Sequence, residues 1–284
     1  MKDGMKVRFW GVRGSICAPG KKFAKMGGNT SCVEIRCGKT IIVIDAGTGI
    51  RLLGDELMKE SSVPRDIHIL ISHTHWDHIQ GFPFFELSYQ KGHNITLYGG
   101  HSVSTLERLI MGQMDREYVP ITLPELSANV NFVHLKKTPF AINDVSIDFT
   151  HLLHPGLALG YRLEYKGRSF AYVADNEVIS DPSMEHFNWK NIGSLIHDAD
   201  IVAADCQFTP EEYSKKVGWG HSAIDNVVDL CNEYKVKKLL AFHHDPHHDD
   251  SFVMSMIRKA RKKVVRPLVL DPAREGDEYF LAAQ

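Results

Sequence analysis

The stretch Ile67-His68-Ile69-Leu70-Ile71-Ser72-His73-Thr74-His75-Trp76-Asp77-His78 decides how this chain is read. Its first six residues are apolar enough for a strand inside a sheet, introduced by the break at Pro64. The strand runs straight into three imidazoles and a carboxylate, so His73, His75, Asp77 and His78 are delivered to one sheet edge. A spacing of two keeps His73 and His75 on one side while the chain is extended. Asp77 and His78 then open the following turn and reach the same space from another direction. Such donors suit borderline divalent metals, zinc first and also manganese or iron. A loop that is His-rich by accident has no reason to follow a buried strand.

One segment cannot complete a binuclear site, so the other strand ends matter. Short β-branched or aromatic runs predict strands over 7–10, 33–36, 40–45, 95–98, 131–134, 145–150, 159–165, 169–174, 201–205 and 238–242, with a last strand near Tyr279. Helical spacing covers 50–59, 222–234 and 251–263. His154 follows the strand 145–150 and precedes Pro155-Gly156, a turn that holds it more rigidly than its neighbour His151. Asp175 directly follows Phe170-Ala171-Tyr172-Val173-Ala174, where a carboxylate can bridge two cations or simply cap a turn. His243 ends Leu239-Leu240-Ala241-Phe242, whereas the later histidines of that cluster lie beyond Pro246 and read as loop residues.

Composition bounds the rest. The chain has 284 residues, 43% hydrophobic and 24% charged, with 16 histidines. It can bury a large core, and no repeat or linker divides it, so one domain over 1–284 is expected. Thirty-three Lys+Arg against 35 Asp+Glu remove the basic excess of a duplex-binding domain. Lys2, Asp3, Lys6, Arg8 and Arg13 interrupt any signal-peptide core, and no apolar run could span a bilayer, so a cytoplasmic protein without a membrane partner is expected. Five scattered cysteines suit reduced thiols, and Cys206 reads as a small buried hydrophobe. Strands cluster first and helices intervene later, which suggests two mixed sheets packed face to face with helices outside.

H-x-H-x-D-H followed by a His, an Asp and a His in this order resembles the metallo-β-lactamase fold superfamily. Asp45-Ala46-Gly47-Thr48-Gly49, Ala174-Asp175-Asn176-Glu177 and Gly218-Trp219-Gly220-His221-Ser222 place the resemblance in its phosphodiesterase branch, with ribonuclease Z and the phosphoribosyl cyclic phosphodiesterases. The resemblance runs from Val7 to Ala273-Arg274-Glu275-Gly276. It implies a four-layer αββα sandwich of two mixed sheets, and two divalent metal ions. His73, His75 and His154 would hold one metal and Asp77, His78 and His243 the other, with Asp175 bridging. The nucleophile would be a metal-bound hydroxide, generated where open coordination positions remain.

The metals supply no proton for a leaving alkoxide. His221 is the candidate donor, between glycines that allow a flexible approach to the cleft, with Ser222 able to cap the next helix. Its other reading is a mere helix-start residue. In ribonuclease Z-like relatives a matching His plays the donor role beside an acidic residue, which here falls on Asp205. Asp77, His221 and Asp205 are thus the expected catalytic group. Residues 106–126, with Met111, Met114, Tyr118, Pro120 and Pro124, look like neither a pure helix nor a pure strand, and are either a lid or a packed connection. The long Gly-rich or basic arm of ribonuclease Z has only this short interval as its counterpart, which disfavours RNA and favours a small phosphodiester, a cyclic nucleotide or ribose cyclic phosphate. The run 258–263 is either a solvated basic helix face or a phosphate-steering patch. A homodimer is compatible with everything above. The rival classes are a ribonuclease Z-like endonuclease, a thioester or lactam hydrolase on the same fold, and a non-catalytic metal sensor.

Overall fold

In the computed structural model, which describes residues 3–61, 65–179 and 188–284, the strands divide into two seven-stranded sheets. Pro64, expected to introduce the strand before the histidine motif, and Lys2, in the stretch screened for a signal, lie outside the described residues. The first sheet holds β1 (Gly4–Gly11), β2 (Cys32–Cys37), β3 (Thr40–Ile44), β4 (Asp66–Leu70), β5 (Asn94–Gly99) and β6 (Asn129–His134) in chain order. The second holds β7 (Phe140–Ile142), β8 (Val145–His151), β9 (Leu159–Tyr165), β10 (Arg168–Val173), β11 (Ile201–Asp205), β12 (Lys238–Phe242) and β13 (Val269–Pro272). The final strand β14 (Glu278–Ala282) returns to pair with β1 in the first sheet.

Both sheets share one pattern. Pairs β14-β1, β1-β2 and β2-β3 are antiparallel, then β3-β4, β4-β5 and β5-β6 are parallel. In the second sheet β7-β8, β8-β9 and β9-β10 are antiparallel, then β10-β11, β11-β12 and β12-β13 are parallel. Strands with parallel neighbours inside a sheet need both faces covered, which explains why β3 and β11 are buried at every residue. An edge strand need not be, and β6 alternates between exposed and half-buried positions.

Three apolar layers separate four structural ones. Val7, Ile35, Ile42, Tyr161, Tyr172 and Phe242 belong to the core between the sheets. Helices Gly49–Leu57 and Val103–Gly112 cover the outer face of the first sheet through Ile50, Leu53, Leu106 and Ile110. Helices Asn188–Ile196, Ile224–Glu233 and Asp250–Ala260 cover the second through residues such as Ile192, Val228 and Ile257. This is the expected αββα sandwich. Cys206 is fully buried in the outer core of the second sheet. Among the described residues no helix is long and apolar enough to cross a membrane.

Several local expectations need correcting. The interval 106–126 begins inside a regular helix, Val103–Gly112, whose N-cap Ser102 accepts the Thr105 N–H at 3.3 Å. The prolines further on obscured it. Leu106, Ile110, Met114 and Leu123 pack into the core, so the segment is a packed connection on that side. Ser222 does not cap the next helix, because Ala223 holds that place and the Ser222 hydroxyl accepts the Val178 N–H instead. The basic helix stops at Ala260 and continues as a 3-10 turn, Arg261–Lys263. There Arg261 pairs with Asp271 and Lys263 with Asp229, which makes that part of the run a structural tie. Strands β7 and β13 are short edge strands without an apolar run long enough to mark them.

Candidate metal centre

All strand ends that carry candidate donors meet at one edge of the sandwich. From the first sheet, β4 ends at Leu70 and the chain runs extended to His75, then turns into the short helix Trp76–Ile79 that holds Asp77 and His78. From the second, His154 follows β8, Asp175 follows β10, Asp205 ends β11 and His243 follows β12. The ligand atoms of His73, His75, His154 and Asp175 lie within 4.8 Å of one another, as do those of Asp77, His78, Asp175 and His243. His151, the competitor of His154, stays exposed on β8.

Asp175 faces both groups. Its Oδ2 lies 3.6 Å from His73 Nε2 and 3.7 Å from His154 Nε2, while its Oδ1 lies 3.0 Å from both His78 Nε2 and His243 Nε2. Asp77 Oδ2 is 3.3 Å from His78 Nε2 and 3.2 Å from His243 Nε2. Metal–ligand bonds of about 2.0–2.2 Å in a tetrahedron put neighbouring donors about 3.3–3.6 Å apart, so these separations fit a cation in each group. The polar inventory agrees: His73 Nε2 and Asp175 Oδ1 are buried without a hydrogen-bond partner. Burial alone would raise the carboxyls of Asp77 and Asp175, yet the surrounding imidazoles hold both well below the usual range. Burial drives His73 well below the ordinary imidazole value, leaving a neutral donor.

The tautomers are set from behind. Asp45 Oδ2 accepts His78 Nδ1–H, the Ser72 hydroxyl and the Tyr172 hydroxyl, each at 2.7 Å, and Asp45 Oδ1 accepts the Ser72 N–H at 2.7 Å. Ser72 Oγ in turn stands 3.1 Å from His73 Nδ1. His154 donates its Nδ1–H to the Gly220 carbonyl at 2.9 Å. Each ring so held keeps its Nε2 lone pair for the centre. Asp45, Asp175 and His243 all adopt left-handed backbone, φ 61, 53 and 59°, which turns their side chains inward just past their strands.

His221 sits between the two ligand sets. Its ring stacks on His243, centroids 5.1 Å apart, and meets His154 edge-on at 5.1 Å. Its Nδ1 donates to Asp205 Oδ2 at 2.7 Å, which leaves its Nε2 outside that bond. Burial lowers its pKa, but Asp205 outweighs that and pushes it up to about 9. The loop that carries it is held, not flexible. Glu177 accepts the N–H groups of Gly218 at 2.8 Å and Gly220 at 3.0 Å, along with the Tyr213 hydroxyl at 2.8 Å. Gly220 has φ 82°, and a Cβ there would lie 2.4 Å from His154 Nδ1, so both conformation and contact require glycine.

Sequence reasoning assigned no role to Asp45, Ser72, Tyr172 or Glu177. Asp45 and Glu177 stood in the motifs that carry the resemblance, and Asp45 also carried the signal that singled out Asp175, a carboxylate at the end of an apolar strand.

Strand-end histidines and carboxylates pooled at the edge of two packed mixed sheets form the donor set of a candidate metal centre on a β-lactamase fold. A family model described as the beta-lactamase superfamily domain matches residues 40–244, and the chain belongs to that superfamily. The fold of this superfamily implies divalent metals. Ribonuclease Z of Staphylococcus carnosus is 26% identical over 243 residues, covering 82% of this chain and 72% of that protein. The metallo-beta-lactamase fold protein YhfI from Bacillus subtilis superposes with a TM-score of 0.72 at 18% identity, over 98% of this chain and all of that one. A diphosphatase from the PhnP family superposes with a TM-score of 0.66 at 16% identity, over 97% of each chain.

Proposed function

We propose that the chain is a binuclear phosphodiesterase acting on a small phosphodiester, a cyclic nucleotide or a ribose cyclic phosphate. His73, His75 and His154 would hold one cation, Asp77, His78 and His243 the other, and Asp175 would bridge them. Bound cations lower the pKa of a coordinated water and neutralise phosphate oxygens. The chain's own residues supply the rest: Asp45, Ser72 and the Gly220 carbonyl orient imidazoles, and His221 delivers a proton from Nε2 to the departing alkoxide while Asp205 orients its ring.

The observation that carries this reading is the His221–Asp205 pair, packed against ligand candidates of both groups. A proton donor at that point serves an alkoxide leaving group, whereas the thiolate expelled from a thioester needs none. The cleft beside His73 and His75 measures about 280 Å³, near the small end of ligand sites, which favours a small substrate. A second reading, RNA processing, draws on the ribonuclease Z relatives. Hydrolysis of bis-p-nitrophenyl phosphate with added Mn²⁺ or Zn²⁺, run beside a lactam, a thioester and a precursor transfer RNA, separates them. Diester turnover with an inert RNA is the expected result. Turnover of the thioester alone overturns the proposal, and cleavage of the RNA moves it to the second reading.

A further inference from the structure

Arg13 is among the largest fully buried side chains, and nothing described so far uses it. A guanidinium taken out of water is costly unless its donors are matched. Its Nε donates to the Gly27 carbonyl at 2.8 Å, and its Nη1 to the carbonyls of Asp245 at 3.1 Å and His248 at 2.7 Å. Its Nη2 has no hydrogen-bond partner and stands 3.9 Å from Asp250, whose oxygens accept the N–H groups of Lys25 and Met26 instead. The side chain is therefore matched to carbonyls, and these sit on two loops, one before β2 and one after β12.

The chain beside Arg13 lies along the chain beside His243. Gly14 N–H donates to the His244 carbonyl and His244 N–H to the Val12 carbonyl, each at 3.0 Å. The His243 ring rests against Gly14, where a Cβ would come within 2.4 Å of its Nδ1. Ser15, in left-handed backbone with φ 63°, donates its N–H to Asp77 Oδ2 at 2.7 Å. That is the oxygen facing both His78 Nε2 and His243 Nε2. Among the described residues, the segment 12–15 makes no hydrogen bond to His73, His75 or His154.

We propose that Arg13 is a positioning residue for one cation alone: it ties the segment 12–15 to the loop after β12, and so sets Asp77 and His243 for the cation of the Asp77, His78 and His243 group. The inference rests on the binuclear reading and adds that this group, unlike the other, depends on a guanidinium bonded to none of its donors. A planar fork can meet three carbonyls at fixed angles, whereas an ammonium is a single point charge. Without the fork, buried carbonyls lose their donor and the two loops lose the tie that sets their spacing. The Ser15 N–H then no longer holds the Asp77 carboxylate in one orientation, and the ligand is less well prepared for its cation.

Zinc content after dialysis against a graded series of chelator concentrations tests this. Arg13→Lys should weaken one zinc ion about 10–100-fold and the other by less than about threefold. Gly14→Ala, which leaves Arg13 in place and displaces the His243 ring, should give the same selective loss. Replacing the Ser15 amide by an ester removes only the N–H and should reproduce it more weakly. Added to His75→Ala, Arg13→Lys should weaken the remaining zinc by the full factor; added to His243→Ala, it should change the remaining zinc by less than about threefold. A residue that merely holds the fold together weakens both ions alike. The inference is overturned if Arg13→Lys leaves both zinc affinities unchanged, if both fall together, or if its effect persists undiminished in His243→Ala. If Arg13→Lys does not fold, Gly14→Ala and the Ser15 ester decide by the same criteria. Two zinc ions in the unsubstituted protein report on the binuclear reading by themselves, so its failure is distinguishable from failure of the role given to Arg13.

Discussion

The two sheets contribute to the candidate centre in opposite ways. The first delivers His73, His75, Asp77 and His78 within six residues of one loop, on a strand end backed by Asp45. The second delivers His154, Asp175, Asp205 and His243 from the ends of four different strands, plus His221 from a loop clamped by Glu177. The first half is local, and its geometry survives as long as one loop keeps its shape. The second half exists only because β8, β9, β10, β11 and β12 stand side by side in register. Each donor group draws on both sheets, so the centre should tolerate loss of a ligand from one group without losing the other, except at Asp175, which both groups share.

That shared residue gives the largest effect. Asp175→Ala should lower activity by at least about 10⁴-fold and release both metals, measured as metal content per chain beside turnover. The intact protein should carry close to two ions per chain and lose them together with activity on chelation. His75→Ala, which damages one donor group only, should also abolish turnover but keep about one ion. One ion in the intact, fully active protein contradicts the bridge.

His221→Ala should cut turnover by about 10²–10⁴-fold with both metals retained. The loss should be larger for a cyclic nucleotide than for a p-nitrophenyl ester, whose phenolate leaves without needing a proton. Equal losses on the two substrates, or falling metal content, make His221 a ligand or structural residue.

The supports come next. Asp45→Asn breaks the hydrogen bonds behind the first half and should weaken metal binding about 10–100-fold, read by competition with a chelator. Glu177→Gln removes an acceptor behind the second half and should slow turnover about tenfold, mainly for poor leaving groups, because the His221 loop shifts. If both variants give the same signature, the halves are not independently supported.

The smallest effect is on stability. The folded pKa of His221, about 9, lies above its ordinary 6.5. In metal-free protein the His221–Asp205 interaction therefore stabilises fully below pH 6.5 and is lost as pH rises through about 9. The Tm gap between wild type and Asp205→Asn should shrink over that window. A gap that stays constant to higher pH removes the charged pair from the account.

How much of this was legible follows the same division. A short apolar strand and an adjacent polar cluster are local facts, so β9, β11 and β12 and the His73–His78 run could be placed to the residue from the sequence. The positions of His154, Asp175 and His243 could also be named, because Asp175 and His243 each close an apolar run and His154 stands before the Pro155-Gly156 turn. The helix Val103–Gly112 and the edge strands β7 and β13 were not legible, since prolines and brevity hid periodicities that packing nevertheless enforces.

The sequence by itself determined which residues could bind metal and which runs would be buried, because donor chemistry and hydrophobic period belong to single segments. Tertiary structure alone decided that Asp175 faces both donor groups, that Asp45 serves His78 across 33 residues of chain, and that Glu177 holds the loop beside His154. Those relations depend on strand order within each sheet and on the packing of one sheet against the other. Neither is written in any local pattern, because strand pairing is chosen by the burial of the whole core.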